Sequence, residues 1–219
     1  MFLAVILFSA VCSAAYGIFY TTRPTSNTRT MVKLLPVGLL ATLSFINGGP
    51  VTLTLALLFG CLGDGFLSRD GNRCFLAGLV SFLIGHICFM ILFFQLRIDA
   101  SALTQEPARV IAAGILFAVS IAVTIHINRH LGAMRNPVYA YIIVSFLLGI
   151  SALLLPGQWP ILLAIIGTFL FISSDVILAY DLFVISPDNR LREITSRLLW
   201  FLYWGGQTLI ALAFVQATP

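Results

Sequence analysis

The stretch RCFLAGLVSFLIGHICFMILFFQ, residues 73–95, decides the fold class of this chain. It carries no charged residue after Arg73. An α-helix needs about 20 mostly apolar residues to cross the hydrocarbon core of a bilayer, which is roughly 30 Å thick. The stretch does not alternate polar and apolar residues, as the strands of a membrane β-barrel do. It therefore predicts a transmembrane helix.

Other segments of the chain share this apolar character. Together with the first they make eight predicted spans, at residues 2–20, 31–47, 51–68, 73–95, 107–127, 136–155, 159–185 and 195–216. The 219 residues are 60% apolar and 9% charged, with a mean hydropathy of +1.04, whereas soluble domains carry about 25% charged residues. The sequence predicts an all-α integral membrane protein, a bundle of eight transmembrane helices that forms one domain over residues 1–219.

The basic residues predict the orientation of this bundle. The connections that follow odd-numbered segments hold ten of them: Arg23, Arg29, Lys33, Arg69, Arg73, Arg129, Arg135, Arg190, Arg192 and Arg197. The other connections hold Arg97 and Arg109. Because cytoplasmic loops carry the excess of Lys and Arg, we expect both termini on the non-cytoplasmic side, in the inner membrane of a bacterium. The net charge of +4 is then a topology signal, and no basic stripe typical of nucleic-acid binding accompanies it.

Two acidic residues lie inside apolar segments, Asp64 in LFGCLGDGFL and Asp175 in FLFISSDVILAY. A carboxylate at the centre of a membrane helix costs about 2.5 to 3.5 kcal/mol on insertion scales, so it faces the protein interior or a wet cavity. Two such groups in a small bundle predict a functional pair. Asp70 and Asp181 lie nearer the segment ends, and we expect them to be solvated.

Four further polar residues share the depth of the two aspartates, from the basic side of the membrane to its midplane: Lys33, His86, Tyr203 and Gln207. Each allows a simpler interpretation. Lys33 could extend its ammonium group to the interface, and Tyr203 could belong to an interfacial aromatic belt. His86 must find hydrogen-bond partners at mid-membrane depth, in a structural role or in a site.

A metal site is not expected. The four cysteines are dispersed and form no CxxC pair: Cys12, Cys61, Cys74 and Cys88. His126 and His130 are four residues apart, but neither a HExxH glutamate nor a clear third ligand accompanies them. We interpret the cysteines as packing residues and the histidines as interfacial.

Six motifs in order carry a family resemblance: KLLPVGLL with Lys33, LFGCLGDGFL with Asp64, FLAGLVSFLIGHICF with His86, NPVYAY, GTFLFISSDVILAYDLF with Asp175, and YWGGQTLI with Tyr203 and Gln207. Over nearly its whole length the chain resembles the YhhN family of membrane lysoplasmalogenases. It departs from the family pattern after His86 and at Asp181, where the family often has an uncharged polar residue.

The resemblance implies hydrolysis of the vinyl ether bond of a lysoplasmalogen, a lysophospholipid of the bilayer, to a fatty aldehyde and a glycerophospho-base. It implies Asp64 and Asp175 as the catalytic pair, supported by Lys33, His86, Tyr203 and Gln207. A tyrosine of NPVYAY, Tyr139 or Tyr141, belongs to this supporting set, and Tyr141 is our candidate.

The two aspartates suit that chemistry. A vinyl ether opens when its β-carbon is protonated, so the reaction needs one protonated carboxyl and one ionised carboxylate, much as in glycosidases. No metal or organic cofactor is expected. Two alternatives stay open: proton-coupled transport of a small molecule or lipid, which also uses intramembrane Asp and His, and a structural or assembly protein in which the aspartates only join helices.

Overall fold

A computed structural model describes residues 2–96, 101, 103, 106–186 and 189–215. This part of the chain is helical and contains no β-strand. We number its long helices in chain order: α1 Phe2–Phe19, α2 Asn27–Ile46, α3 Val51–Leu67, α4 Asn72–Gln95, α5 Pro107–Ile127, α6 Arg135–Leu153, α7 Leu162–Phe183 and α8 Leu191–Val215. Two 3₁₀ turns, Asn128–His130 and Gly132–Met134, join α5 to α6.

The eight helices coincide with the eight apolar segments, and the all-helical prediction is confirmed. Seven of them are long and apolar enough to cross a membrane, which makes a multi-pass membrane protein. Helix α3 has 17 residues and measures about 25 Å, so the eighth span stays a prediction. Arg97 and residue 216 lie outside the described residues.

The order in which the helices pack determines which of them are neighbours around the candidate site. Helices α1 to α4 pack one after another, α4 contacts α6, α7 packs against α8, and α8 returns to α1 and α2. Helix α5 lies against α6 and α7. Residues of the connections after α1, α3 and α5 and of the first turn of α8 line one cavity, among them Thr21, Asp70, Met134 and Arg192. The connections after α1, α3, α5 and α7 therefore meet at one end of the bundle. We call this the basic end, since it holds the ten basic residues named above.

Glycines bring the central helices close together. A Cβ on Gly206 of α8 would lie 2.6 Å from the Gly167 carbonyl oxygen of α7 and 2.9 Å from the Phe171 nitrogen. A Cβ on Gly85 of α4 would lie 3.3 Å from the Ala56 carbonyl oxygen of α3. Small residues allow such close packing of membrane helices. Two of the four helices drawn together here, α3 and α7, carry the membrane aspartates.

Arg109 fastens α5 to α6. Its side chain donates to the carbonyl oxygens of Leu153, at 2.7 Å, and Leu155, at 2.5 Å, and also to Glu106, at 2.6 Å. The residue is only 8% exposed. The sequence analysis counted Arg109 among the charges of a connection. In the structure, the Arg109 guanidinium caps the carbonyl groups at the end of α6, which have no partner inside their own helix.

Candidate active site

A cavity of about 500 Å³ lies between the helices at the basic end. Both membrane aspartates line it, Asp64 from α3 and Asp175 from α7, together with Lys33 from α2 and Tyr203 from α8. The connections after α1 and α3 contribute the exposed part of its wall. Residues far apart in the sequence are therefore brought to one internal surface.

Asp64 forms an ion pair with Lys33. The Lys33 Nζ lies 3.2 Å from Asp64 Oδ1, and the two side chains are only 12% and 3% exposed. Lys33 therefore turns to the protein interior, and the interpretation as an interfacial lysine does not apply. The second carboxylate oxygen, Oδ2, is buried and makes no close hydrogen bond within the described residues. The Tyr203 side chain lies near enough to interact with the Asp64 carboxylate, so Tyr203 is a polar neighbour of this pair.

Asp175 shares a proton with His86. The His86 Nδ1 lies 2.8 Å from the Phe82 carbonyl oxygen, and Nε2 lies 3.1 Å from Asp175 Oδ2. A carbonyl oxygen only accepts, so Nδ1 carries a hydrogen. A contact between Nε2 and Oδ2 then requires one further proton between them, on the carboxyl or on the imidazole. Because His86 is fully buried and Asp175 is partly exposed, the carboxyl is the member of this pair that a ligand can touch.

Tyr203 and Gln207 meet at Gly60. A Cβ on Gly60 would lie 3.1 Å from the Tyr203 hydroxyl oxygen and 3.3 Å from Gln207 Nε2. Tyr203 is 3% exposed and Gln207 is fully buried, which excludes an aromatic-belt position for Tyr203. Within the described residues, both polar atoms of Gln207 have no hydrogen-bond partner. The Tyr203 hydroxyl makes no close hydrogen bond, but it lies beside the Asp64 carboxylate. Buried polar groups of this kind are rare in proteins and are suited to bind water or a polar ligand.

A second, narrower cavity of about 70 Å³ lies between α4, α5, α6 and α7. We call it the apolar crevice, because Leu, Val, Ile and Phe side chains form most of its wall. Asp175 lines both the crevice and the larger cavity. Tyr141 and Ser145 also line the crevice. Their buried hydroxyls make no close hydrogen bond within the described residues, but the Tyr141 hydroxyl lies near enough to interact with Asp175 and Ser145. Tyr139, in contrast, donates from the surface to Asn128 Oδ1 at 2.7 Å, so Tyr141 is the tyrosine beside the site.

The prediction that Asp181 is solvated is wrong. The residue is 5% exposed, lines the larger cavity, and accepts hydrogen bonds from the hydroxyls of Thr195 and Ser196. Its position near the end of α7 suggested contact with water, but the first turns of α8 cover it. Asp70 is exposed, as expected. Sequence reasoning also missed the cavity-lining role of three arginines: Arg29, Arg69 and Arg192.

The comparisons with known proteins agree with the resemblance found in the sequence. The sequence model of the YhhN family matches residues 28–214, which is most of the chain. No curated protein matches the chain. No solved structure matches it.

Proposed function

Because this chain belongs to the YhhN family, we propose that it is a hydrolase of the lysoplasmalogenase type. It cleaves the vinyl ether bond of 1-alkenyl-lysophospholipids and releases a fatty aldehyde and a glycerophospho-base. The family is associated with hydrolase activity. One observation carries the proposal: an ion-paired carboxylate, Asp64, and a carboxyl that shares a proton, Asp175, line the same cavity.

The two cavities support a lysolipid as the substrate. A lysolipid has a polar headgroup and an apolar chain, and its vinyl ether lies at their junction. The larger cavity has charged walls, the crevice is apolar, and the two share Asp175. A substrate with its headgroup in the cavity and its chain directed into the crevice brings the vinyl ether to this carboxyl. With the basic end in the cytoplasm, as the loop charges predict, the substrate comes from the inner leaflet.

Asp175 acts as the general acid in this proposal. Its carboxyl donates a proton to the β-carbon of the vinyl ether, and the first carbon of the chain becomes an oxocarbenium ion. Asp175 is then a carboxylate next to neutral His86, whose Nδ1–H group still donates to the Phe82 carbonyl oxygen. His86 is a positioning residue: it orients the acid through Nε2 and does not touch the substrate.

Asp64 stabilises the cation and activates the water. Its carboxylate, held ionised by Lys33, favours the positive charge that develops in the transition state. It then takes a proton from the water molecule that adds to the first carbon, which gives a hemiacetal. As the carbon–oxygen bond breaks, Asp64 returns this proton to the glycerol oxygen and Asp175 accepts the hydroxyl proton. One water is consumed, and both carboxyl groups regain their starting states.

The test is aldehyde release by the purified protein in detergent, from 1-alkenyl-lysophosphatidylethanolamine and 1-alkenyl-lysophosphatidylcholine. Asp64→Asn and Asp175→Asn should each lower turnover at least about 100-fold, because each removes an acid–base group. Asp70→Asn is the matched control, since Asp70 lines the same cavity from an exposed position, and it should keep wild-type turnover. Ester lysolipids should release no aldehyde.

Two results would overturn the proposal. One is the absence of aldehyde from folded wild-type protein, which would shift attention to proton-coupled transport. The other is near wild-type turnover by both the Asp64→Asn and Asp175→Asn variants.

A further inference from the structure

Three arginines line the basic end of the cavity without a carboxylate partner in the described residues: Arg29, Arg69 and Arg192. Neutral groups orient two of them. Arg29 donates to two carbonyl oxygens of the preceding connection, at 3.2 and 3.4 Å, and Arg69 donates to Asn27 Oδ1 at 2.7 Å. Elsewhere, Arg109 and Arg197 are paired with glutamates. The charge of the cavity arginines is therefore available to an anion.

Lys33 is not available in the same way. Its ammonium group is paired with Asp64 at 3.2 Å. A phosphate near the basic end would meet the arginines first, because Arg69 and Arg192 come from the connection after α3 and the first turn of α8. Guanidinium groups bind phosphate oxygens with two parallel hydrogen bonds, which makes arginine well suited to this role.

Asp181 is a buried carboxylate without a cationic partner in the described residues. It is 5% exposed, and its two oxygens accept from the hydroxyls of Thr195 and Ser196. No Lys, Arg or His in the described part of the chain forms a salt bridge with it. A buried carboxylate is costly unless a cation or hydrogen-bond donors compensate for its lost hydration. The hydroxyls provide part of this compensation, and the cavity gives a ligand cation access to the rest.

The spacing along α7 separates Asp181 from the proposed general acid, Asp175. Asp181 follows Asp175 by six residues in the direction of the basic end, which is about 9 Å along a helix axis. Asp175 lines both cavities, whereas Asp181 lines the larger cavity and not the crevice. A glycerophospho-group that extends from Asp175 to the basic end therefore lies in the same cavity as the three arginines and Asp181.

We propose that the basic end of the cavity is a binding site for a zwitterionic headgroup that carries a primary ammonium group. Arg29, Arg69 and Arg192 bind the phosphate, and Asp181 binds the ammonium group. A primary ammonium group donates hydrogen bonds to the carboxylate and to the hydroxyls beside it, whereas a quaternary ammonium group has no N–H to donate. This inference rests on the proposed function of the same cavity and adds the class of headgroup.

Steady-state aldehyde release with three substrates tests it: 1-alkenyl-glycerophosphoethanolamine, 1-alkenyl-glycerophosphocholine and 1-alkenyl-glycerophosphate. In Asp181→Asn, KM for the ethanolamine substrate should rise about tenfold, the equivalent of one charge-assisted hydrogen bond. The kcat for that substrate, and the KM for the other two, should change less than about threefold. Arg192→Gln should raise KM for all three substrates. Glu193→Gln is the control, because Glu193 is exposed, pairs with Arg197 and does not line the cavity, and it should change KM for none of them.

The inference is overturned if Asp181→Asn changes KM equally for all three substrates or changes KM for none of them. Should Asp181→Asn fail to fold, Ser196→Ala is the second variant, because it removes one donor to the same carboxylate. Its KM for the ethanolamine substrate should change about threefold, and equal KM changes for all three substrates would again contradict the inference.

Failure of the chemistry is distinguished from failure of the headgroup site by a binding measurement. If the wild type releases no aldehyde from any substrate, the proposed function fails. Tryptophan fluorescence, to which Trp200 in the cavity wall contributes, then reports binding of the ester lipids lysophosphatidylethanolamine and lysophosphatidic acid. A loss of about tenfold in affinity for the first lipid alone, on Asp181→Asn, supports the headgroup site. If the wild type and Asp181→Asn bind each of the two lipids with equal affinity, the headgroup site is overturned.

Discussion

The Gly206→Ala substitution tests the packing that supports the site. A Cβ at this position would lie 2.6 Å from the Gly167 carbonyl oxygen and 2.9 Å from the Phe171 nitrogen. Both atoms belong to the backbone of α7, so no side-chain rotation can relieve the contact. Since Cβ atoms do not approach other heavy atoms within 3.0 Å, α7 and α8 must move apart by at least 0.4 Å.

The adjacent Gly205 provides a matched control. The nearest atom to a Cβ at Gly205 is Leu170 Cδ1, at 4.0 Å, which is an ordinary contact. Replacing a helical glycine by alanine stabilises a helix by up to about 1 kcal/mol, and this gain is common to both variants. The difference in stability between Gly206→Ala and Gly205→Ala therefore isolates the overpacking cost, for which about 1–3 kcal/mol is expected.

Thermal unfolding in detergent measures this difference, at about 2–4 °C in Tm per kcal/mol for a protein of this size. Activity gives a second readout. Asp175 lies one turn after Phe171 on α7, and Tyr203 lies about one turn before Gly206 on α8, so separating the helices moves these two groups apart. Gly206→Ala should therefore release less aldehyde than Gly205→Ala at temperatures where both are folded. Equal Tm and equal activity of the two variants would refute the packing argument.

Two further predictions concern the paired groups of the site. At 3.2 Å and an effective dielectric constant of about 20, the attraction between Lys33 and Asp64 is about 5 kcal/mol, so Lys33→Met should destabilise the protein by about 3–5 kcal/mol. The double variant Lys33→Met/Asp64→Asn should recover most of this loss in thermal unfolding, and a double variant as unstable as the single one would contradict a buried ion pair. His86→Gln keeps hydrogen-bonding groups for Asp175 but cannot share a proton with it, so kcat for aldehyde release should fall at least about 100-fold with a small change in Tm. A kcat within about threefold of wild type would show that the shared proton is not used.

The fold could be predicted from the sequence because the membrane leaves few choices. Every backbone polar group in hydrocarbon must be satisfied within its own segment, so a long apolar run without alternation has to be a helix. The boundaries were less accurate. Helix α2 begins at Asn27, several residues before the predicted residue 31, because the Ser26 side chain accepts a hydrogen bond from the Arg29 nitrogen and caps the helix in a polar stretch.

The site was predictable in composition but not in its pairings. Depth along the helices indicated which polar residues share a layer, because rise per residue is constant. It could not indicate that Lys33 meets Asp64 while His86 meets Asp175, since this depends on which helices are neighbours. The same limitation explains the error at Asp181, because hydroxyl groups on another helix cover it.

The position of Arg109 leaves the two ends of the folded bundle with different charge. Its guanidinium donates to the carbonyl groups at the end of α6 and pairs with Glu106, so in the folded protein it is not a free charge. The carbonyl groups of Leu153 and Leu155 therefore need no cap from the connection between α6 and α7. In the described part of the chain, basic residues without a carboxylate partner thus lie at the basic end, where an anionic surface or ligand would meet them.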